Sequence, residues 1–584
     1  MLAGDAAAAV RSKVMETATL AAYGEVAAPQ LVEADGLWLA IAGHPRLRRG
    51  GDRVADPLQC ARALRERGAA ALADFGGDFA LAAWDSRRRR GLLAIDRIGM
   101  HQLSYMRSGD ALVFATTLDL LGRFPGVQLQ LRPQAVYDYL YYHVCPGPDT
   151  IYQHAQRVPA GQFIEFGAGA AREPRQHWAP RFSEGSQRDV AALKHEFFGL
   201  LEHSVREAAQ GALSGSFLSG GTDSSTVSGM LARVGTGPAR SFSIGFDAQG
   251  YDETSYARIA AKHYGLEHHV HYVTPAEVVD AVPSIAAAYD QPFGNASAIP
   301  AYYCARQARE HGVQRLLAGD GGDELFGGNE RYATQHLLAL YHRVPGWLRR
   351  GLVEPALTRV PGVEHVPMVR KLRSYVLQAR TPMPQRYETY NLLLRLGAEQ
   401  VLTPDFLHQV DQAHPRHLMA DAHAPYANAS LINQMLGIDL RFVLADTDLP
   451  KVVHMCNLAG VDVAFPLLDD RLVDFSMRLP SDLKLRGTQL RWFFKRALDD
   501  FLPREIITKP KHGFGLPVGV WLTGHPPLLD MAVAAIERLR PRGIVRREFV
   551  ADLLSRRLRE HAGYYGTMVW LLMMLGLWLD SHGQ

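Results

Sequence analysis

From Phe217 to Ser225 the chain reads Phe-Leu-Ser-Gly-Gly-Thr-Asp-Ser-Ser, and no other segment constrains the fold as much. An apolar strand end runs into two adjacent glycines, then small hydroxyl residues, then a helix-patterned run over 224–233. Gly220 and Gly221 let the backbone turn sharply and approach a ligand with no Cβ in the way. The unpaired N–H groups and the dipole at the helix start favour an anion. Ser219, Ser224 and Ser225 add hydroxyl donors. Asp223 is badly placed beside a polyphosphate unless a cation lies between them, so it reads as a Mg²⁺ ligand. No lysine follows the glycines, which separates this corner from the GxxxxGK[ST] loop.

Strand and helix alternate beyond the corner, with strand-like runs at 241–246 and 268–272 and a helical pattern at 254–263. Such alternation marks an α/β fold, a parallel sheet with crossover helices. After about Tyr332 the pattern is mainly helical. Upstream the chain differs, with short apolar runs at 37–42, 79–84, 92–95, 103–106 and 162–166 bounded by Gly, Asp or Arg. Residues 107–110 (RSGD) supply hairpin turn chemistry, and the basic tract 87–90 reads as a solvated turn. The polar, aperiodic stretch 179–189 separates the two regimes, giving domains 1–182 and 190–584.

A net charge of +3 over 584 residues argues against a nucleic-acid or anionic-membrane partner. Cys60, Cys145, Cys304 and Cys456 form no CxxC pair, which disfavours a disulfide framework or zinc site and fits a reducing cytosol. Residues 1–25 lack a signal-peptide pattern. The apolar run 568–579 is shorter than the roughly 20 residues a membrane span needs, so a buried C-terminal helix and a cytoplasmic protein are expected.

A second glycine-rich loop follows an apolar run: Leu317-Ala318-Gly319-Asp320-Gly321-Gly322-Asp323-Glu324-Leu325-Phe326-Gly327-Gly328. It lacks EF-hand spacing. The first corner resembles the PP-loop of ATP pyrophosphatases, and the two loops together resemble the asparagine synthetase family. Further similarities run in order over about 190–580: Tyr251-Asp252-Glu253, Asp290-Gln291-Pro292, Phe465-Pro466-Leu467-Leu468-Asp469, and the glycine-bearing Lys509-Pro510-Lys511-His512-Gly513-Phe514-Gly515. The resemblance implies an ATP- and Mg²⁺-dependent ligase that adenylates a carboxylate and lets an amine displace AMP. By it Asp223 and Asp323 hold Mg²⁺ on pyrophosphate, and the backbone around Leu218, Ile244 and Gly319 holds adenosine. Lys511 is the candidate cation on a closing loop. Asp320 stands open between orienting or deprotonating the amine and shaping a turn. Arg491 and Lys495 stand open between phosphate contact and a solvated helix face.

The resemblance extends to an N-terminal Ntn-hydrolase-like β-sandwich of the glutamine amidotransferase type, but that chemistry needs a thiolate. Met1 is followed by Leu2, and the nearest cysteine is Cys60. Trp38 stands where the family has a carboxylate-clamping Arg, and Gly76 where it has an oxyanion-site Asn. Asp96 is retained, in an element that also shapes the fold. The first domain is therefore expected as a scaffold, with the amine arriving without glutamine hydrolysis. Lasso-peptide macrolactam synthetases and β-lactam synthetases share this loss, and Asp320 fits the lasso type better. The expected substrate is a peptide or amino acid bearing a carboxylate, with a leader-peptide protease or recognition protein as a further partner. An ammonia-using asparagine synthetase and a non-catalytic scaffold are the alternatives.

Overall fold

A computed structural model describes residues 11–584, apart from 16–17, 23–29, 51–52, 110, 168–172, 187, 249, 356–366, 390 and 510–514. Strands β1 (Arg11–Val14) and β2 (Thr19–Ala22) form a ribbon. The main N-terminal sheet is antiparallel and draws on β3 (Gln30–Ala34), β4 (Leu37–Leu47), β5 (Arg53–Val54), β6 (Phe75–Asp85) and β7 (Arg90–Ile95). Strands β8 (Ser104–Ser108), β9 (Ala111–Ala115) and β10 (Ala155–Arg157) make a smaller sheet, and β11 (Gln162–Gly167) and β12 (Arg175–Gln176) return to the main one.

Alternation along β4 and β6 sets the layering. Leu39, Ile41, Phe79 and Leu81 face Cys60 and Leu64 of the helix Pro57–Arg67. Ala80, Ala82, Trp84, Leu93 and Ile95 face the other way, toward Leu103 and the β8–β9 pair. The expected sandwich is thus present on one face of the main sheet, while a helix covers the other. Strands β4 and β6 also outrun the apolar stretches at 37–42 and 79–84. Their pairing continues from Gly43↔Phe79 to Leu47↔Phe75, where Gly77 N–H and His44 contact residues of the second domain. The tract 87–90 is the exposed turn into β7.

Among the described residues of 179–189 there is no helix or strand, and the helix Val190–Ala208 follows. The second sheet is all parallel: β13 (Ser214–Phe217), β14 (Arg240–Phe246), β15 (Glu267–Val273), β16 (Arg315–Leu317) and β17 (Asp462–Ala464), in the order β15-β14-β13-β16-β17. Strands β13 and β16 pair directly, Ser216 opposite Leu317, so the two glycine-rich loops leave the same sheet edge side by side. This is the crevice where open parallel sheets place their ligands. The helix after β13 starts at Thr222, two residues earlier than its apolar pattern, because Gly221 already has cap geometry.

The apolar core does not stop at the interdomain stretch. Tyr139, Leu140 and Ile151 belong to the same buried cluster as Phe242, Leu316 and Leu571. Asp290 accepts from Leu118 N–H at 2.8 Å and pairs with Arg157 at 2.9 Å. The C-terminal apolar run lies in the helix Ala562–Ser581, long and apolar enough to cross a membrane, yet Met568 through Leu575 are buried against neighbouring helices. The Trp578 indole N–H donates to Tyr289 O at 2.9 Å.

Candidate active site

At the C-terminal ends of β13, β14 and β16 lies a cavity of about 240 Å³. One end is apolar, walled by Leu218, Phe242, Ile244, Pro300, Ala301 and Val452; the other carries Ser219, Asp223, Ser224 and the acidic loop from Gly319 to Glu324. Of the residues expected from sequence, Leu218, Ser219, Asp223, Ser224, Ile244, Gly319, Asp320 and Asp323 all line it. Gly220 and Gly221 form the turn beside it. Lys511 lies outside the described residues, as do Met1 and Leu2. Ser225, expected as another hydroxyl donor, is fully buried and does not line the cavity.

The corner is held by its own hydroxyls: the Ser219 and Ser224 Oγ atoms are 2.9 Å apart, and Ser219 N–H donates to Ser224 Oγ at 3.1 Å. Gly220 has φ +71°, and a Cβ there would meet Ala257 N at 2.5 Å, so only glycine makes this turn. Lys509 clasps it from outside. Its Nζ pairs with Glu253 at 3.0 Å, donates to Gly220 O at 3.5 Å and lies over the Tyr256 ring.

Arg491 sits between the two expected Mg²⁺ ligands. Its guanidinium makes a forked pair with Asp223, both contacts 2.7 Å, donates to Thr222 Oγ1 at 2.7 Å and contacts Asp323. It is 5% exposed and has φ 55°, a left-handed backbone that is strained for a non-glycine residue. The solvated-face alternative fails for both basic residues, since Lys495 is half-buried with Nζ donating to Ile507 O at 2.8 Å, away from the cavity. The donor set suits Mg²⁺: two hard carboxylates, with phosphate oxygens to complete the shell. Space is reserved around them, since a Cβ at Gly322 would meet Asp223 Oδ1 at 2.4 Å. Among the described residues no group of three or more His, Cys, Asp or Glu could hold a metal by itself, so a metal here needs the phosphates.

Asp320 faces Lys451, with Nζ 3.7 Å from Oδ1, and Lys451 pairs with Asp448 at 2.7 Å. Burial pushes the Asp320 carboxyl up to about 6, with Lys451 opposing and Asp448 and Asp223 adding to the rise. Burial works against the Lys451 ammonium, but Asp448 and Asp320 hold it above the ordinary lysine range. Sequence reasoning missed Lys451 and Asp448, and gave Lys509 only as part of its loop motif, without a role. The first two lie where a π-helix, Leu440–Asp448, passes into the helix Leu449–Leu458. Such irregular turns gather at functional sites, but only a D-x-x-K spacing marked this one.

In the N-terminal domain Cys60 is fully buried, its thiol raised to about 12 by burial with Asp56 adding. It is no nucleophile. Trp38 pairs across β4–β6 with Trp84 and lies under Lys13 Nζ. The Asp96 carboxylate accepts four backbone N–H groups, from Ile98 to His101, a structural role. At Gly76 a Cβ would come within 2.1 Å of the Asp470 carboxylate.

An anion corner facing a carboxylate pair at the C-terminal edge of a parallel sheet defines a nucleotide-binding α/β enzyme. The asparagine synthase family model matches residues 196–580 and that of the glutamine amidotransferase domain residues 56–178. The chain belongs to the asparagine synthase family and is by that membership an ATP-dependent, AMP-forming carbon–nitrogen ligase. Asparagine synthetase [glutamine-hydrolyzing] 1 of Bacillus subtilis is 23% identical over 502 residues, 86% of this chain and 77% of that one. Asparagine synthetase [glutamine-hydrolyzing] 3 of the same organism is 20% identical, covering 74% and 66%. The amidase chry2 of Gibberella zeae is 22% identical, covering 79% and 72%.

Proposed function

We propose that this ligase joins a side-chain carboxylate to an amine carried by the same substrate, closing a lasso-type macrolactam on a leader-cleaved peptide. The observation that carries this reading is the charge of the cavity's polar end. Asp320, Glu324 and Asp448 gather there around Lys451, and among the described residues that line the cavity there is no arginine, the Arg491 guanidinium being taken up by Asp223, Asp323 and Thr222. An acid-rich wall suits an arriving amine. It is a poor match for free aspartate, which brings a second carboxylate that needs its own cation. The buried Cys60 thiol and the Asp470 carboxylate at Gly76 support an amine that does not come from glutamine.

In the reaction a substrate carboxylate oxygen attacks the α-phosphorus of ATP and pyrophosphate departs. The amine nitrogen then attacks the acyl carbon, AMP leaves, and Asp320 takes the proton at its carboxylate. Ser219, Ser224 and the backbone at Gly220–Gly221 hold the phosphates, and the wall at Leu218, Ile244 and Ala301 excludes water from the base. Asp223 and Asp323 are the residues that would hold Mg²⁺, which would neutralise the leaving pyrophosphate. Lys511 is proposed to offset the charge that develops on the acyl centre. The four cysteines, all free and buried, support a cytoplasmic setting.

A second reading is an asparagine synthetase, favoured by the names of the Bacillus relatives; those names specify glutamine hydrolysis, and the ammonia-using form rests on the buried Cys60 thiol of this chain. Purified protein with ATP, Mg²⁺ and aspartate, with and without ammonium, separates the two. Ammonium-dependent AMP and asparagine would overturn the macrolactam reading; AMP release only with a carboxylate-bearing peptide, whose mass falls by one water, supports it.

A further inference from the structure

The edge of the N-terminal sheet that meets the ligase domain is formed by the cross-strand pairs His44↔Asp78, Pro45↔Gly77 and Arg46↔Gly76. These pairs grip β16 and β17 with the turn that follows, and Arg46 also reaches the end of the helix Val190–Ala208. His44 Nε2 lies 3.1 Å from Arg315 Nη2, and Arg315 pairs with Asp462 at 2.7 Å; these two residues open β16 and β17 and sit in register. Arg46 pairs with Glu207 at 2.5 Å and with Asp469 at 3.4 Å. The Gly77 N–H donates to Asp470 Oδ2 at 2.9 Å, and buried Arg97 lies 3.5 Å from the other oxygen.

The gripped unit carries the acidic loop. β16 opens into Gly319 through Glu324, and Ala318 N–H donates to Ala464 O at 2.9 Å, extending the β16–β17 pairing to the loop's first residue. The turn after β17 packs beneath the loop so tightly that a Cβ at Gly321 would meet Leu468 Cδ2 at 2.2 Å. Leu468 is 1% exposed and stands two residues before Asp470. The path from the N-terminal sheet to the site is therefore short and packed: Gly77 to Asp470, Asp470 along the turn to Leu468, Leu468 to Gly321, and Gly321 to its neighbours Asp320 and Gly322. Interiors at this density have little freedom to give.

We propose that the N-terminal domain serves the ligase as a clamp and that Asp470 is its positioning residue, holding the turn so that Leu468 fixes Asp320 and Asp323. The carboxylate at Gly76–Gly77 fills the space an ordinary side chain would need, so the domain is committed to docking. This inference rests on the ligase class alone, whichever amine and acid are joined.

The test uses the full-length protein and two readouts that need no acceptor substrate: Mg·ATP affinity by calorimetry, and hydrogen exchange of amides 318–324. Asp470→Ala is expected to weaken Mg·ATP binding by about tenfold, the scale of one lost charge-assisted hydrogen bond, and to speed exchange at 318–324 while β14 is unchanged. Asp470→Asn keeps an oxygen for Gly77 N–H and should recover most of the affinity. Native affinity in Asp470→Ala, or equal loss in both variants, would overturn the proposal, as would faster exchange spread evenly over the sheet. If Asp470→Ala does not fold, His44→Ala decides, its side chain being 42% exposed and outside the core. Faster exchange at 318–324 supports the clamp, and unchanged exchange there overturns it.

Discussion

Replacing Arg491 with alanine leaves Asp223 and Asp323 facing each other across the space the guanidinium filled. Arg491 makes two 2.7 Å contacts to Asp223, one to Thr222 and a further contact to Asp323, with its side chain 6% exposed. Removing one partner of a buried ion pair costs about 3–5 kcal/mol, mostly because the remaining charge is unpaired. The Asp223 and Asp323 side chains keep 19% and 25% exposure, so water recovers part of this and the lower end, about 3 kcal/mol, applies. The apo variant should therefore melt several degrees below the native protein. Mg²⁺ with pyrophosphate should raise the variant's Tm by more than the native protein's, since a dication then replaces the guanidinium between the carboxylates. Arg491→Lys should fall between them, because an ammonium cannot make the fork. Thermal scans with and without Mg²⁺ and pyrophosphate read all of this. If apo Arg491→Ala melts with the native protein, or if Mg²⁺ and pyrophosphate raise both equally, the electrostatic account of the pair is wrong.

Amine capture, read as AMP release under saturating ATP, should fall as pH drops through about 6, where the raised Asp320 carboxyl gains its proton and ceases to be a base. Asp320→Asn should lose that acid limb along with most of the rate. Gly322→Ala drives a Cβ into the Asp223 carboxylate and should weaken Mg-dependent ATP binding by about tenfold or more, the strain of overpacking; unchanged calorimetry would refute it. Lys484 is 1% exposed with Asn433 Oδ1 at 3.1 Å, and burial lowers its ammonium to about 7. Its depressed folded value means the cost of burying the charge is full below pH 7 and gone above the unfolded value. Lys484→Met should accordingly stabilise the fold by about 2 kcal/mol or more at pH 6, and denaturation midpoints should converge with the native protein's toward pH 10.

Four strands of the parallel sheet were legible because each is a short strand-like run beside a helical period or a glycine-rich loop, whereas β17 is three residues long and falls in the stretch that reads as mainly helical. The two glycine-rich loops were legible because their composition has few other uses. Arg491 reads at helical spacing with Lys495, yet the helix starts at Trp492 with Arg491 as its left-handed cap, and nothing local encodes its contact with two carboxylates that precede it by 268 and 168 residues. Lys451 and Asp448 were missed for the same reason, their meaning arising only where a π-turn brings them to Asp320. The C-terminal helix was read as 12 residues because its first turns, with Gly563, Tyr564 and Gly566, are less apolar; packing extends it to 20.

Gly76 carries the sharpest difference between the two views. In sequence it registers as the absence of an oxyanion-site side chain. In the fold, the volume such a side chain would take holds the carboxylate of Asp470, which accepts the neighbouring Gly77 N–H and lies beside buried Arg97. A polar side chain at 76 would have to displace that carboxylate, leaving a buried acid without its donor at a cost of about 1–3 kcal/mol or more. Restoring Asn at this position is therefore expected to loosen the domain contact rather than rebuild a glutaminase. Gly76→Asn should show lower Mg·ATP affinity and no glutamine hydrolysis; glutamine turnover with undisturbed ATP binding would show that the cradle is still available and that Asp470 does not hold it closed.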